Sequence, residues 1–331
     1  MTDWSRFDGG EKEWNARLSG LFGANFFQSF AWGEVKRRLE WNVTRLSTKN
    51  AAAQVLWRKY SLGTVVAWIP GGPVGEINGW CDSLPLAIRR FSGALSLYVR
   101  INALYPEGSD SEGVDSSHQT LSKRGWKIPA RRMTSGLSLG YMFGRPEEAR
   151  VAALTRDWRS NLKRSGKHGL NVFKWNAPEV GLVLSIFRQM ENMKGIASQI
   201  SVDELQAYVD LLADRLIWIR GDDASGRPIA VRVAAVFGDH VWEMLAAATP
   251  EARKVSASHA VLWKMLEFCS SIGATTYDLG GIDPVGNKGV FDFKQGVGAQ
   301  RIEYLGEWEW ASNVLIRVAA NYAIGRRRGG L

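Results

Sequence analysis

Tyr277-Asp278-Leu279-Gly280-Gly281-Ile282 decides how this chain is read. Residues 275–279 have the composition of a strand, and the strand stops at two glycines. A glycine pair at the carboxyl end of a strand lets a ligand or a second backbone approach closely, and strand ends in α/β sheets are where ligands bind. It also serves simply to make a turn. Just upstream, residues 256–271 read as a helix with Leu262, Met265, Leu266 and Cys269 inward and Lys264, Glu267 and Ser271 outward. Just downstream comes Phe291-Asp292-Phe293-Lys294-Gln295-Gly296-Val297-Gly298. A lysine among aromatics and glycines aims a fixed cation at an anion that develops during a reaction, or else it is a surface lysine in a flexible loop.

Working toward the amino terminus, strand-like runs at 216–220, 228–237 and 240–247 follow helical patterns at 178–193 and 201–213. One helix is expected from Arg145-Pro146-Glu147-Glu148 onward. Val151, Leu154, Trp158 and Leu162 form its apolar face, and Arg156, Arg159, Lys163 and Lys167 a basic one. The first half reads as strands at 43–46, 53–57 and 64–69, a stop at Pro70-Gly71-Gly72-Pro73, a helix at 85–97 and a strand at 97–104. A Gly/Ser/Asp-rich loop is expected at 107–117, with short strands at 125–128 and 135–139. Alternating elements of this kind predict an α/β architecture with mixed sheets. Gln28-Ser29-Phe30-Ala31-Trp32-Gly33-Glu34-Val35-Lys36 reads as a helix start that sets Trp32 and Lys36 one turn apart, either as an ammonium beside an indole platform or as an ordinary amphipathic face.

Composition narrows the function. With 331 residues, at about 150 per domain, two units are expected. A hydrophobic share of 45% is enough for a packed core, which excludes disorder. Lys+Arg 42 against Asp+Glu 33 leaves +9, which favours an anionic partner. Cys81 and Cys269 form neither a disulfide framework nor a metal pair, and the four histidines are scattered. There is no Walker loop, G-x-G-x-x-G or G-x-S-x-G, so nucleotide hydrolysis, dinucleotide redox chemistry and serine hydrolysis have no support. With no apolar leader and no long apolar run, a cytoplasmic location is expected.

Taken in order, Gln28-Ser29 with Trp32 and Lys36, Ile69-Pro70-Gly71-Gly72-Pro73-Val74, Tyr277-Asp278-Leu279-Gly280-Gly281-Ile282, Phe293-Lys294 and Tyr304-Leu305-Gly306-Glu307 resemble the Fem family. These are aminoacyl-tRNA-dependent peptidyltransferases of peptidoglycan cross-bridge synthesis, typified by FemA, FemB and FemX. The likeness runs over residues 25–310. It implies an α/β (α+β) fold of two tandem GNAT-like (acyl-CoA N-acyltransferase) units with mixed β-sheets and no coiled-coil arm, as in FemX, facing each other across a cleft. Residues 1–143 plus 311–331 would form the acceptor-side unit and 144–310 the donor-side unit. It further implies Lys294 beside Phe293 at the reacting carbonyl, and substrate contacts from Trp32, Lys36, Lys194, Tyr277, Asp278, Gly280 and Gly281.

The reaction so implied moves an amino acid from aminoacyl-tRNA, as co-substrate, to an amine of a UDP-linked or lipid-linked muropeptide, with no cofactor and no metal. Arg156, Arg159, Lys163 and Lys167 would meet tRNA phosphates, or they are a solvated helix face. An acyl-CoA donor, in cell-surface polysaccharide synthesis, is the alternative. Against it, the glycine of the GNAT R-x-x-G-x-A loop falls on Ser256. A non-catalytic RNA- or membrane-binding module is a third reading. At the carboxyl end, Trp308, Trp310, Val314, Leu315, Val318 and Tyr322 before Arg326-Arg327-Arg328 read as an amphipathic helix, which either packs on its own domain or touches the inner face of the cytoplasmic membrane.

Overall fold

The computed structural model describes residues 4–106, 114–198 and 200–329. The chain divides into one unit of Met1–Leu137 with Ile302–Leu331 and a second of Ser138–Arg301. The first opens with β1 (Ser5–Arg6), α1 (Glu11–Ser19), α2 (Phe30–Arg38), β2 (Asn42–Ser47), β3 (Ala51–Lys59), β4 (Thr64–Gly71), β5 (Val74–Gly75), α3 (Leu84–Ser92), β6 (Ser96–Pro106) and α4 (Val114–Lys123). The second begins with β7 (Leu137–Met142), α5 (Glu147–Ala152), α6 (Arg156–Ser165), β8 (Asn171–Lys174), α7 (Val180–Lys194) and α8 (Val202–Leu211). It continues through β9 (Leu216–Asp222), β10 (Pro228–Phe237), β11 (His240–Ala248), α9 (Pro250–Lys254), α10 (Ala257–Ser271), β12 (Thr276–Gly281) and α11 (Lys288–Gly296). The chain then returns to the first unit with β13 (Gln300–Ala311) and α12 (Val314–Gly329). The fold is mixed α/β, and among the described residues no helix is long enough to form an arm.

Within the first unit the strand order is β1-β2-β3-β4-β6-β13, antiparallel except for the parallel pair β4/β6. That pair is zipped from Thr64↔Ser96 to Gly71↔Ala103. Gln28 holds the end of β4: its side-chain amide donates to the Pro70 carbonyl at 2.7 Å and accepts from the Gln54 N–H at 2.7 Å. Ser29 caps α2 by accepting from the Trp32 N–H. Trp14, Trp80, Trp126 and Trp308 are fully buried, and burial of so large an apolar side chain contributes about 2–3 kcal/mol.

The second unit has the order β7-β12-β11-β10-β9-β8 and again one parallel pair, β11/β12. Here pairing stops after Trp242↔Asp278. Gly280, with φ of 76°, turns the backbone of β12, and the β12/β7 register shifts between Asp278 and Gly281. β11 also bulges: Val233 faces Leu245 and Ala234 faces Glu243, which leaves Met244 as the extra residue. The two strands therefore separate instead of continuing side by side.

Several expectations are corrected. The single helix after Arg145 is two, because Thr155 breaks it and caps α6 by accepting from the Trp158 N–H. That break leaves Val151 exposed on α5. Phe291-to-Gly298 is helical up to Gly296 rather than a loop. Of the expected loop, 107–113 lie outside the described residues and Val114 already begins α4. Residues 125–128 make only an isolated bridge, Lys127↔Glu309. Trp308 and Trp310 belong to β13, with Trp308 in the core, so they are not on the terminal helix.

Candidate active site

The wedge between β11 and β12 in the second unit opens into a cavity of about 970 Å³. Its walls include Glu243 to Ala248 of β11, Leu279 to Gly281 of β12, Ala230 to Arg232 of β10, and the amino-terminal turns of α10 and α11. Its position follows from the strand chemistry. Once parallel pairing ends, the facing edges no longer bond to each other, and on β12 the Gly280 and Gly281 carbonyls are free to accept from a side chain.

Lys294 stands at this opening. It is half-buried in α11, and its ammonium donates to the carbonyls of Gly280 at 3.2 Å and Gly281 at 3.0 Å. The glycine pair and the lysine, read separately from the sequence, are thus one construction. Burial holds the Lys294 pKa below the ordinary lysine value; Glu243 and Asp278 oppose that shift and Arg232 adds to it. Phe293 fixes the helix. Its carbonyl accepts from the Trp158 indole at 2.9 Å, and its ring lies 5.0 Å from His259 and 5.7 Å from the Arg232 guanidinium. Gly296 is required by this packing, since a Cβ there would sit 2.8 Å from Trp158 Cδ1.

Close to Lys294, Arg232 of β10 and Glu243 of β11 form an ion pair, both nearly buried. Glu243 Oε2 makes no hydrogen bond among the described residues although water cannot reach it. His259 lines the same cavity; burial, then the charges of Arg164 and Arg232, push its pKa down to about 4, so the imidazole is neutral near pH 7. Ser256, at the start of α10, takes the left-handed backbone at φ 54° and donates to Asn161 Oδ1 at 3.1 Å. That conformation is the one a glycine would supply, so the loop keeps its shape without the glycine.

The other expected site residues divide by unit. Gly280, Gly281, Phe293, Lys294 and Lys194 all line the cavity; Lys194 is exposed, its pKa lowered by partial burial and by Arg253. Tyr277 is fully buried and does not itself line the cavity; it lies beside the Arg232 and Glu243 that do. Asp278 is a strand-end clamp: its carboxylate accepts from Ser138 Oγ and from the Gly280 N–H at 2.7 Å. Trp32 and Lys36 lie in the first unit, both buried, with the ammonium 4.2 Å above the indole. Arg156, Arg159, Lys163 and Lys167 are all exposed, though Arg159 also donates to the Leu154 carbonyl at 3.0 Å. Sequence reading missed Arg232, Glu243 and His259 as members of the site. Arg232 carried a signal: a lone charge inside the apolar run 229–236 needs a buried partner.

Comparison with known proteins agrees with this geometry. Residues 202–323, which include the wedge, α10 and α11, match the model of the FemAB family. None of the curated protein sequences matches the chain. The crystal structure of FemX superposes with a TM-score of 0.82 over 96% of this chain and 100% of its own, at 15% identity. The C-terminal domain of a putative lysylphosphatidylglycerol synthetase from Agrobacterium fabrum gives 0.56 over 94% and 95% at 11% identity. A tandem GNAT protein of the clavulanic acid pathway gives 0.56 over 95% and 99% at 8% identity. The likeness to the Fem family and the FemX-like fold are thereby shown.

Proposed function

We propose that this protein is a Fem-type acyltransferase that moves an aminoacyl group from aminoacyl-tRNA to an amine of a UDP-linked or lipid-linked muropeptide, in peptidoglycan bridge formation. The observation that carries the reading is the Lys294 ammonium held by two glycine carbonyls at the mouth of a large cavity. The free amine attacks the ester carbonyl, a C–N bond forms, the C–O bond to the ribose breaks, and the amine's proton leaves with the ribose oxygen. An acceptor amine with a pKa of about 10.4 in water must lose its proton first, and desolvation in the cavity favours that. Lys294 stabilises the oxyanion of the tetrahedral intermediate, and no covalent enzyme intermediate is needed. Lys36 is assigned to the acceptor's phosphates, with Trp32 beside it as a substrate contact, and the exposed Arg156, Arg159, Lys163 and Lys167 to tRNA phosphates.

One observation favours a second reading. The left-handed Ser256 preserves the loop that begins α10, so an acyl-CoA donor in cell-surface polysaccharide synthesis is supported by backbone shape even without the glycine. Incubation with radiolabelled aminoacyl-tRNA or acetyl-CoA, plus a UDP-linked muropeptide, separates the two. Label passing from the tRNA to the muropeptide is the expected result. Transfer from acetyl-CoA alone would establish the second reading, and RNA binding without transfer from either donor would make the protein a binding module.

A further inference from the structure

The carboxyl-terminal helix α12 is apolar on both sides: Ile316, Ala320 and Ile324 are half-buried on its inner side, and a second apolar set faces outward. Its polar residues Arg317 and Asn321 face the body of the first unit, where Asn321 donates to Glu309 Oε2 at 2.7 Å and Arg317 lies 3.4 Å from Glu309 Oε1. Its apolar residues Val314, Leu315, Val318 and Tyr322 face solvent, Leu315 with 80% of its surface exposed. A helix that only packs on its own domain needs one apolar side, not two.

The apolar face continues onto the end of the sheet. Ser312, just before α12, exchanges hydrogen bonds with Leu97, its N–H to the Leu97 carbonyl at 2.9 Å and its hydroxyl with the Leu97 N–H at 3.1 Å. Leu95 is two residues back, 70% exposed, and its N–H donates to the Gly63 carbonyl at 3.0 Å. Leu62, at the tip of the β3/β4 hairpin, is 91% exposed and holds the left-handed backbone at φ 56°. A bulky residue in that conformation costs about 1 kcal/mol or more and is retained where the exposed side chain has a use.

The charge within the segments that build this face has one sign. The segments that build it, residues 41–75, 83–106 and 310–331, contain no Asp or Glu at all. They carry the exposed Lys59, Arg89, Arg90 and Arg326. Single apolar side chains projecting from a hairpin tip, a strand end and a helix face, in segments whose charges are all cationic, match the interface of an anionic bilayer, which accepts apolar groups between its headgroups and attracts the cations. A second copy of the same face would bring these cations against one another.

We propose that Leu62, Leu95 and the outer face of α12 form a docking surface for anionic phospholipid membranes. The surface lies wholly in the first unit and does not depend on the reaction assigned to the second. Flotation of the full chain with phosphatidylcholine vesicles, with and without phosphatidylglycerol, tests it. Binding is expected only to the anionic vesicles and to weaken with added salt. The double variant Leu62→Ser/Leu315→Ser should lose about tenfold or more in partition, because two apolar contacts leave the bilayer, with an unchanged circular dichroism spectrum. Arg89→Gln/Arg90→Gln should weaken binding in the same direction. A chain that stays unbound with both vesicle types, or a double variant that floats like the parent, overturns the proposal. So does a concentration-dependent dimer that Leu315→Ser dissolves while vesicle binding is absent.

Discussion

Each unit contains one parallel strand pair in an otherwise antiparallel sheet, and the two pairs end differently. In the first unit β4 and β6 stay in register along the whole of β4. In the second, β11 and β12 part after three register pairs, His240↔Thr276 to Trp242↔Asp278. The buried ion pairs follow the same division. Glu307 of the first unit is closed: Arg100 donates to Oε2 from Nε at 2.8 Å, and Thr134 donates to Oε1 from its N–H and its hydroxyl. Glu243 of the second has one oxygen without a hydrogen bond among the described residues, next to a cavity. A satisfied buried pair is part of the scaffold, whereas a half-satisfied one beside open space is where a polar ligand gains most.

The contrast is broken most forcefully at the closed pair. Glu307→Ala leaves Arg100 charged and buried with no carboxylate, so it should cost about 3–5 kcal/mol of stability by urea unfolding; a loss under 1 kcal/mol would show that the network is slack. Lys294→Met removes the stabilising cation, and turnover should fall by a factor of about 100 to 1000 with little change in unfolding midpoint. An unchanged rate would remove Lys294 from the chemistry.

His259 supplies a measurement of intermediate size. Its pKa of about 4 in the folded protein lies below the ordinary value, so the unfolded chain takes up the proton first as pH falls. Its contribution is whole above about pH 6.5 and is lost as the pH falls toward 4, with an upper bound of about 3 kcal/mol. Over that window, His259→Gln should show a shallower fall in stability than the parent; parallel curves would mean that the imidazole is not held neutral.

Glu243→Gln gives the smallest and most diagnostic effect. Glu243 raises the Lys294 pKa against burial, so removing its charge lowers that pKa further and the ammonium is lost at lower pH. The alkaline limb of the rate profile should move to lower pH while stability changes by about 1–3 kcal/mol. A limb that does not move separates Glu243 from the reacting lysine.

Much of the fold was legible in the sequence because period and punctuation are local. The strands at 228–237 and 240–247 and the helix at 256–271 match β10, β11 and α10 almost to the residue, since apolar runs and a 3.6-residue apolar stripe each suit a single element. Helix α11 was not read as a helix because the glycines of 291–298 suggested a loop; packing of Gly296 on Trp158 overrides its poor propensity. The site was only half legible. Lys294 and the glycine pair stood out as motifs, but Arg232, Glu243 and His259 come from separate elements and have no spacing in common. Tyr277 shows the same limit: its side chain is fully buried beside the Arg232–Glu243 pair, a neighbourhood that its own strand does not reveal.

The sequence by itself determined the class of fold, the placing of most strands and helices, the excess of basic charge and the pairing of a glycine turn with an aromatic-lysine motif, all of which depend on neighbours along the chain. Only the tertiary structure decided that one parallel pair stays closed and the other splays, that an arginine and a glutamate meet close to Lys294, and that α12 leaves one of its apolar faces outward. Those depend on register and on which face each element turns toward its neighbours, and these are set by contacts between residues far apart in the chain.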